Sequence, residues 1–130
     1  GIPSYLVSAS VIGVVAQRLV RRICEKCKRK YLISEKEKNI FTNLDDTQYF
    51  YKGDNCDECR KTGFSGRIAV HEIIVLDKNI KEMIGNDVAE VEIRDYLKNN
   101  NIKSLLEDGV LKVKNGITSL EEIIRVLELN

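Results

Sequence analysis

Two short motifs, Cys24-Glu-Lys-Cys27 and Cys56-Asp-Glu-Cys59, contain all four cysteines of this 130-residue chain. The two-residue spacer lets one tight turn deliver both thiolates to a single metal ion, and two such turns complete a tetrahedral shell of four sulfurs. A closed shell leaves no position for a substrate. The pattern therefore predicts a structural zinc site with the ligands Cys24, Cys27, Cys56 and Cys59.

The residues alone leave other uses of these cysteines open. Two disulfides would require an oxidising compartment, and nothing in the sequence marks export. A redox-active pair would account for one motif and not for the other. Iron also binds two such turns, although Lys28 and Arg60 follow the pairs where iron-binding rubredoxins have glycine. Zinc is the preferred interpretation, and iron and no metal are the alternatives.

The 28 residues between the two motifs, and those directly after the second, predict a small β unit. A strand is predicted over 30–33, and Ser34-x-x-Glu37 is a capping box that opens a helix to about residue 42. The alternating aromatic run 48–52 predicts a strand that ends at Gly53-Asp54. Residues 66–76 are rich in Ile and Val and predict a longer strand.

Helical spacing dominates both ends of the chain. Apolar residues recur every three or four positions over 4–23, which predicts one amphipathic helix. Helices are also predicted over 80–85, 88–99, 105–115 and 120–129, with capping boxes at Ser104-x-x-Glu107 and Thr118-x-x-Glu121 and a terminating Gly116. The predicted fold class is α+β, with an N-terminal helix (1–23), a zinc-stapled β unit (24–76) and a C-terminal helical lobe (77–130).

Charge is balanced overall and uneven locally. The chain has 21 Lys+Arg against 20 Asp+Glu, which argues against a whole-domain basic footprint for nucleic acid. Residues 18–30 contain seven basic side chains against Glu25, a local charge of +6. Such a segment is either a solvated face or a surface for phosphate, acidic lipid or an acidic partner protein.

No catalytic set is predicted. The sequence contains neither a Gly-x4-Gly-Lys-Ser/Thr phosphate loop nor a Gly-x-Gly-x-x-Gly motif. His71, the sole histidine, is predicted to be structural or at the surface, and Asp45-Asp46 and Glu121-Glu122 are interpreted as turn and helix-start residues. No stretch is apolar and long enough for a membrane span. Because the chain starts at Gly1 and its only methionine is Met83, we expect a piece of a longer protein.

The order of several motifs resembles a known family. Ala16-Gln17-Arg18-Leu19-Val20-Arg21 precedes the first cysteine pair, and Thr62-Gly63-Phe64-Ser65-Gly66-Arg67 follows the second. Residues 104–109 and 116–122 extend the similarity to the last helices. Together these segments resemble the carboxyl-terminal region of the secretion ATPases that drive type II secretion and type IV pilus assembly, including its tetracysteine metal site.

This resemblance implies a parent protein that is a cytoplasmic, hexameric P-loop motor, peripheral to the inner membrane. Its partners would be neighbouring subunits of the homo-hexamer and an inner-membrane platform or anchoring protein, with anionic lipid as a further partner and no specific nucleic acid. ATP and Mg²⁺ would bind only in the parent protein, so no catalytic or cofactor-binding residue is assigned here and the chain alone would not be catalytic. The competing interpretations are a zinc-ribbon module that binds nucleic acid and a structural adaptor.

Overall fold

A computed structural model of the chain describes residues 1–40 and 49–128, in which six helices and four strands form an α+β fold. In chain order the elements are α1 (Ser4–Ser10), β1 (Gly13–Ile23), β2 (Lys28–Leu32), α2 (Glu35–Ile40), β3 (Tyr49–Gly53), β4 (Phe64–Val75), α3 (Lys78–Gly85), α4 (Glu90–Asn99), α5 (Leu105–Lys114) and α6 (Leu120–Val126). Strand β1 pairs with β4, and β2 pairs with β3, in two two-stranded sheets.

The predicted single helix over 4–23 is wrong. Helix α1 ends at Ser10, Val11 already has extended backbone angles, and the long strand β1 follows from Gly13. The apolar spacing fitted a helix, but residues 11–23 are rich in β-branched side chains, which pack better on a pleated strand. Pairing with β4, which lies some fifty residues away in the sequence, then decides the conformation.

The other predicted elements are present, with ends that differ by a few residues. The capping box that begins α2 is confirmed, because the Glu37 N–H donates to Ser34 Oγ at 3.2 Å and the Ser34 N–H donates to Glu37 Oε2 at 2.9 Å. The predicted end of this helix near residue 42, the first residue of the 48–52 strand and the pair Asp45-Asp46 lie outside the described residues.

The last helix begins one residue later than its predicted capping box. The buried Thr118 hydroxyl donates to the Arg21 carbonyl at 2.7 Å, and so Ser119 caps α6 by accepting from the Glu122 N–H at 3.1 Å. Gly116 ends α5 as predicted. Its φ of 72° and the bond from the Ile117 N–H to the Lys112 carbonyl form the left-handed turn that favours glycine.

The chain divides into two compact units. The first contains residues 1–17 and 71–105, and its core is built on Leu76, Ile80 and Leu97. Within it, Ser8 Oγ of α1 donates to the Lys81 carbonyl of α3 at 2.7 Å. This unit thus combines the first helix with α3 and α4.

The second unit contains residues 18–70 and 106–130, and with them all four cysteines. Its core is apolar and includes side chains from the strands β1, β3 and β4 and from the helices α5 and α6, namely Val20, Ile23, Phe50, Val70, Val113, Leu120 and Ile123. The predicted C-terminal lobe is therefore divided, with α3 and α4 in one unit and α6 and nearly all of α5 in the other. The division into 1–23, 24–76 and 77–130 as functional segments stays a prediction.

A buried carboxylate joins the last helix to the first long strand. Glu122 is 1% exposed and accepts from the Arg21 backbone N–H at 2.7 Å, from the Arg21 guanidinium at 3.0 and 3.1 Å, and from the Arg125 guanidinium at 2.8 and 2.9 Å. Burial alone would raise the pKa of Glu122, but Arg125 and Arg21 lower it from 4.5 to about 2. The predicted helix-start acid is thus a structural anchor.

Because of this buried carboxylate, the free energy of unfolding should decrease at acidic pH. A carboxyl group whose pKa is lower in the folded chain than in the unfolded chain stabilises the folded state at pH values above its unfolded pKa. For Glu122 this contribution is about 3 kcal/mol, and it is lost as the pH falls from about 5 towards 2. We expect Glu122→Gln to lower the free energy of unfolding at neutral pH and to flatten its acid dependence. Urea unfolding at several pH values measures both.

The neighbouring exposed residue provides the control. Glu121→Gln removes the same charge one position away and should retain the acid dependence of the unaltered chain. Because acid also protonates thiolates, the comparison uses the difference between the two variants. Identical pH profiles for both variants would contradict the role assigned to Glu122.

Candidate metal centre

Two tight turns position the cysteines in the second unit. Cys24 directly follows β1 and Cys27 directly precedes β2, while Cys56 and Cys59 lie in the connection between β3 and β4. The second turn closes through the Lys61 N–H, which donates to the Cys56 carbonyl at 2.8 Å. The ends of two sheets therefore bring together cysteines that are 32 positions apart in the sequence.

The four sulfur atoms have the spacing of a tetrahedral metal site. All four Sγ atoms lie within 4.8 Å of one another. The measured separations are 3.8 Å for Cys24 and Cys56, 3.9 Å for Cys27 and Cys59, and 3.7 Å for Cys56 and Cys59. A tetrahedron whose arms equal a zinc–sulfur bond of about 2.3 Å has edges of about 3.8 Å. The predicted cysteines thus form a cluster that can hold a metal ion, and zinc fits it.

The same distances argue against the disulfide alternative. All four cysteines are free, and a disulfide would require a separation of about 2 Å. Cys24 and Cys59 are buried, whereas Cys27 and Cys56 are partly exposed. Among the described residues, this is the one group of cysteine, histidine or acidic side chains close enough to bind a metal ion. His71 lies on β4 in the other unit and does not belong to it.

The backbone contributes to lowering the pKa of two of the four thiols, those of Cys27 and Cys59. Burial alone would raise the pKa of Cys59, but the Gly63 N–H, 3.2 Å from Sγ, and the neighbouring thiols lower it to about 6. The Cys56 N–H lowers the pKa of Cys27. The Cys59 N–H lowers the pKa of Cys56, but burial and the neighbouring thiols raise it more, to about 11. Metal ligands are thiolates, so amide donors on sulfur favour the form that binds.

Gly53 and Gly63 form a close backbone contact beside the cluster. A Cβ on Gly53 would lie 2.2 Å from the Gly63 carbonyl oxygen and 2.5 Å from its Cα. Gly63 also has a φ of 81°, donates its N–H to Cys59 Sγ and accepts the Cys24 N–H at 3.0 Å. Sequence reasoning missed the importance of Gly53; its signal was a glycine at the end of the strand before the second motif.

Several basic residues of the 18–30 segment have partners within the chain. The Arg21 guanidinium bonds to Glu122 and lies 4.2 Å from the centre of the Phe64 ring. Lys28 Nζ contacts Glu25 at 3.0 Å and donates to the Gly116 carbonyl at 2.9 Å, and Arg29 pairs with Asp54 at 3.1 Å. Part of the local charge of +6 is therefore used to assemble the second unit.

Comparison with known proteins shows the family of this chain. Residues 1–125 match the family described as Type II/IV secretion system protein. The chain belongs to this family. Its membership confirms the resemblance to the proteins of type II and type IV secretion systems.

Three members illustrate the similarity. The chain is 35% identical over 127 residues to the type II secretion system ATPase E of Vibrio cholerae, and the match covers 97% of the chain and 25% of that protein. It is 38% identical over 128 residues to the type IV pilus assembly ATPase PilB of Thermus thermophilus, covering 95% and 14%. It is 34% identical over 135 residues to the type IV pilus assembly ATPase TfpB of Acinetobacter baylyi, covering 99% and 23%. The chain thus spans a quarter or less of the length of these relatives.

Within the described residues, no helix has both the length and the apolar content needed to cross a bilayer.

Proposed function

We propose that this chain is the zinc-binding and helical carboxyl-terminal portion of a motor ATPase that powers protein secretion or pilus assembly. The observation that carries the proposal is the tetrahedral spacing of four cysteines in a chain that matches the secretion family over residues 1–125. The matched relatives are named as type II secretion and type IV pilus assembly ATPases, and the chain covers only part of each.

In this proposal the metal is structural. The thiolates of Cys24, Cys27, Cys56 and Cys59 would hold one Zn²⁺, and four protein ligands would complete its shell. When bound, the ion would cross-link the turn at residues 24–27 to the turn at residues 56–59. Small sheets such as the β2–β3 pair bury too little apolar surface to be stable alone, so a metal is a physically sensible staple.

Exposed apolar side chains in the first unit support a larger parent protein. Ile12, Val15, Ile73 and Val75 are 80%, 65%, 54% and 69% exposed on or beside the strands β1 and β4. Ile73 and Val75 are two positions apart on β4 and so share one face of the strand, and exposed aliphatic side chains of this kind can pack against further protein. In the proposed parent protein, the nucleotide-binding core would cover these side chains, and it would also contain the ATP and Mg²⁺ sites.

The proposed setting follows from the same family. The parent would act in the cytoplasm as a homo-hexamer, peripheral to the inner membrane, with neighbouring subunits and an inner-membrane platform or anchoring protein as partners. A nucleic-acid-binding zinc ribbon is less well supported, because Arg21, Lys28 and Arg29 already have acidic partners within the chain. We therefore propose no specific nucleic acid as a ligand.

The test compares the 130-residue chain with the longer protein that contains it. We expect the longer protein to hydrolyse ATP and to form hexamers, and the chain alone to give no turnover above a buffer blank, because it has no loop that cradles phosphates. Phosphate release and light scattering measure these two properties. ATP hydrolysis by the purified chain, or a longer protein that is inactive and monomeric, would refute the proposal.

A further inference from the structure

The four thiols of the cluster differ in how far water reaches them. Cys24 and Cys59 are buried, at 3% and 5% exposed, whereas Cys27 and Cys56 are partly exposed. Cys56 Sγ has two close sulfur neighbours, Cys59 at 3.7 Å and Cys24 at 3.8 Å. Cys27 Sγ lies 3.9 Å from that of Cys59. A small solute can therefore reach a partly exposed thiol that already has a buried thiol beside it.

Backbone strain distinguishes the second cysteine turn, residues 56–59, from the first, residues 24–27. In the part of the chain that the structure describes, a positive φ occurs at six residues other than glycine. Three of the six adjoin the second turn, namely Asn55 (59°), Arg60 (56°) and Lys61 (61°), and none lies in the first turn. Left-handed backbone at a residue with a Cβ is unfavourable and persists only where its surroundings hold it. A change of conformation in the second turn would therefore relieve strain.

Hydrogen bonds anchor the first cysteine turn on both sides. Directly before it, the Ile23 N–H donates to the Ile117 carbonyl at 2.9 Å. Directly after it, Lys28 begins β2, and its Nζ donates to the Gly116 carbonyl at 2.9 Å. The first turn is thus fixed to the connection between α5 and α6. A sulfur–sulfur bond formed inside the second turn leaves these anchors untouched, whereas a bond between the two turns pulls on them.

We propose that Cys56 and Cys59 are a site of reversible oxidation, at which a hydroperoxide converts the two thiolates to a disulfide and zinc is released. A structural zinc site needs four protein donors, and the disulfide would remove two of them. This inference rests on the proposed function, because it concerns the metal that the proposed function assigns to the cluster. It adds a chemical signal to which that metal site responds.

The oxidation takes two steps. The Cys56 thiolate attacks one oxygen of hydrogen peroxide, so that an S–O bond forms, the O–O bond breaks and hydroxide leaves, which makes Cys56 a sulfenic acid. The Cys59 thiolate then attacks the Cys56 sulfur, so that the S–S bond forms, the S–O bond breaks and a second hydroxide leaves. Each hydroxide takes a proton from the buffer and becomes water. The two sulfurs together lose two electrons and the peroxide gains them, and a dithiol reverses the change by thiol–disulfide exchange.

The experiment treats the zinc-loaded 130-residue chain with hydrogen peroxide. A chromogenic chelator measures zinc release, and peptide mapping after alkylation of the free thiols locates the disulfide. We expect zinc release to rise in step with a disulfide between Cys56 and Cys59. Dithiothreitol with added zinc should restore both the thiols and the bound metal.

Two histidine variants separate this pair from the other sulfurs. Histidine also ligates zinc, and three cysteines with one histidine form a common structural site. Cys59→His removes the second thiol of the pair, so we expect a sulfenic acid to persist at Cys56, where dimedone labels it. Cys24→His replaces the other buried cysteine in the same way and keeps the pair. It should still form the disulfide and should release zinc about tenfold faster than Cys59→His does.

Three results would overturn the inference: zinc that stays bound while peroxide is consumed, a main disulfide that joins the two turns, or equal release rates for the two variants. The disulfide map of the unaltered chain decides the matter even where a histidine variant fails to bind zinc. A chain isolated without zinc would refute the proposed metal site and this inference with it. A chain that holds zinc and resists peroxide would remove only the oxidation site.

Discussion

Replacing Cys59 by serine should abolish high-affinity zinc binding and lower the melting temperature by about 10 °C or more. Cys59 is 5% exposed, lies 3.7 Å from Cys56 Sγ and accepts the Gly63 N–H, so its thiolate has a central place in the cluster. Serine keeps the size of the side chain but is a poor zinc ligand. Because the site does not exist in the unfolded chain, binding free energy is also folding free energy.

Metal analysis and thermal unfolding, each with and without a strong chelator, test this expectation. The unaltered chain should contain one zinc per molecule and should lose stability when the chelator is added, whereas Cys59→Ser should melt at the same temperature in both conditions. A folded, unaltered chain without zinc, or a variant that keeps one equivalent of zinc and the original melting temperature, would show that the cysteines do not form the proposed site.

Gly53→Ala should produce the second large effect, although residue 53 is not a ligand. The new Cβ would be placed 2.2 Å from the Gly63 carbonyl oxygen, far inside any real contact, and both groups belong to backbone that cannot rotate away. Either β3 or the second cysteine turn must shift. We expect a loss of about 3 kcal/mol in unfolding free energy and at least a tenfold loss in zinc affinity, by analogy with overpacked cores.

Gly85→Ala is the matched control for this substitution. A Cβ at residue 85 would have Ser8 Oγ at 3.7 Å as its nearest neighbour, which is ordinary contact, and the position lies at the end of a helix where alanine is favoured. Urea unfolding and competition with a zinc chelator should show no loss for Gly85→Ala. If Gly53→Ala behaved in the same way, the close approach of the two glycines would have no energetic importance.

The cysteine cluster could be predicted from local sequence patterns. Two Cys-x-x-Cys spacings were enough to predict which side chains meet, because each spacing is satisfied by one tight turn and a metal ion demands that both turns converge. The start of α2 at Ser34 and the end of α5 at Gly116 were predicted for the same reason. The helix cap and the positive φ both depend on hydrogen bonds between residues a few positions apart. Interactions of short range in sequence are visible in sequence.

The conformation of the N-terminal segment could not be predicted from local patterns. Residues 11–23 carry apolar side chains at spacings that suit a helix, and they also carry the β-branched residues that suit a strand. Pairing with the backbone of β4 makes this segment a strand. Because β4 is distant in the sequence, a short stretch around residues 11–23 gives no sign of this pairing. Likewise Thr118 was displaced from its predicted cap by the Arg21 carbonyl, 97 positions away.

By itself the sequence determined which four cysteines cluster, most helices, the family resemblance and the absence of a phosphate loop. Tertiary structure alone decided the partner of Glu122, the close contact of Gly53 with Gly63 and the register of the β2–β3 pair. The reason is physical: turn and capping chemistry depends on neighbours along the chain, whereas strand register, burial of charge and backbone contact depend on groups that only folding brings together.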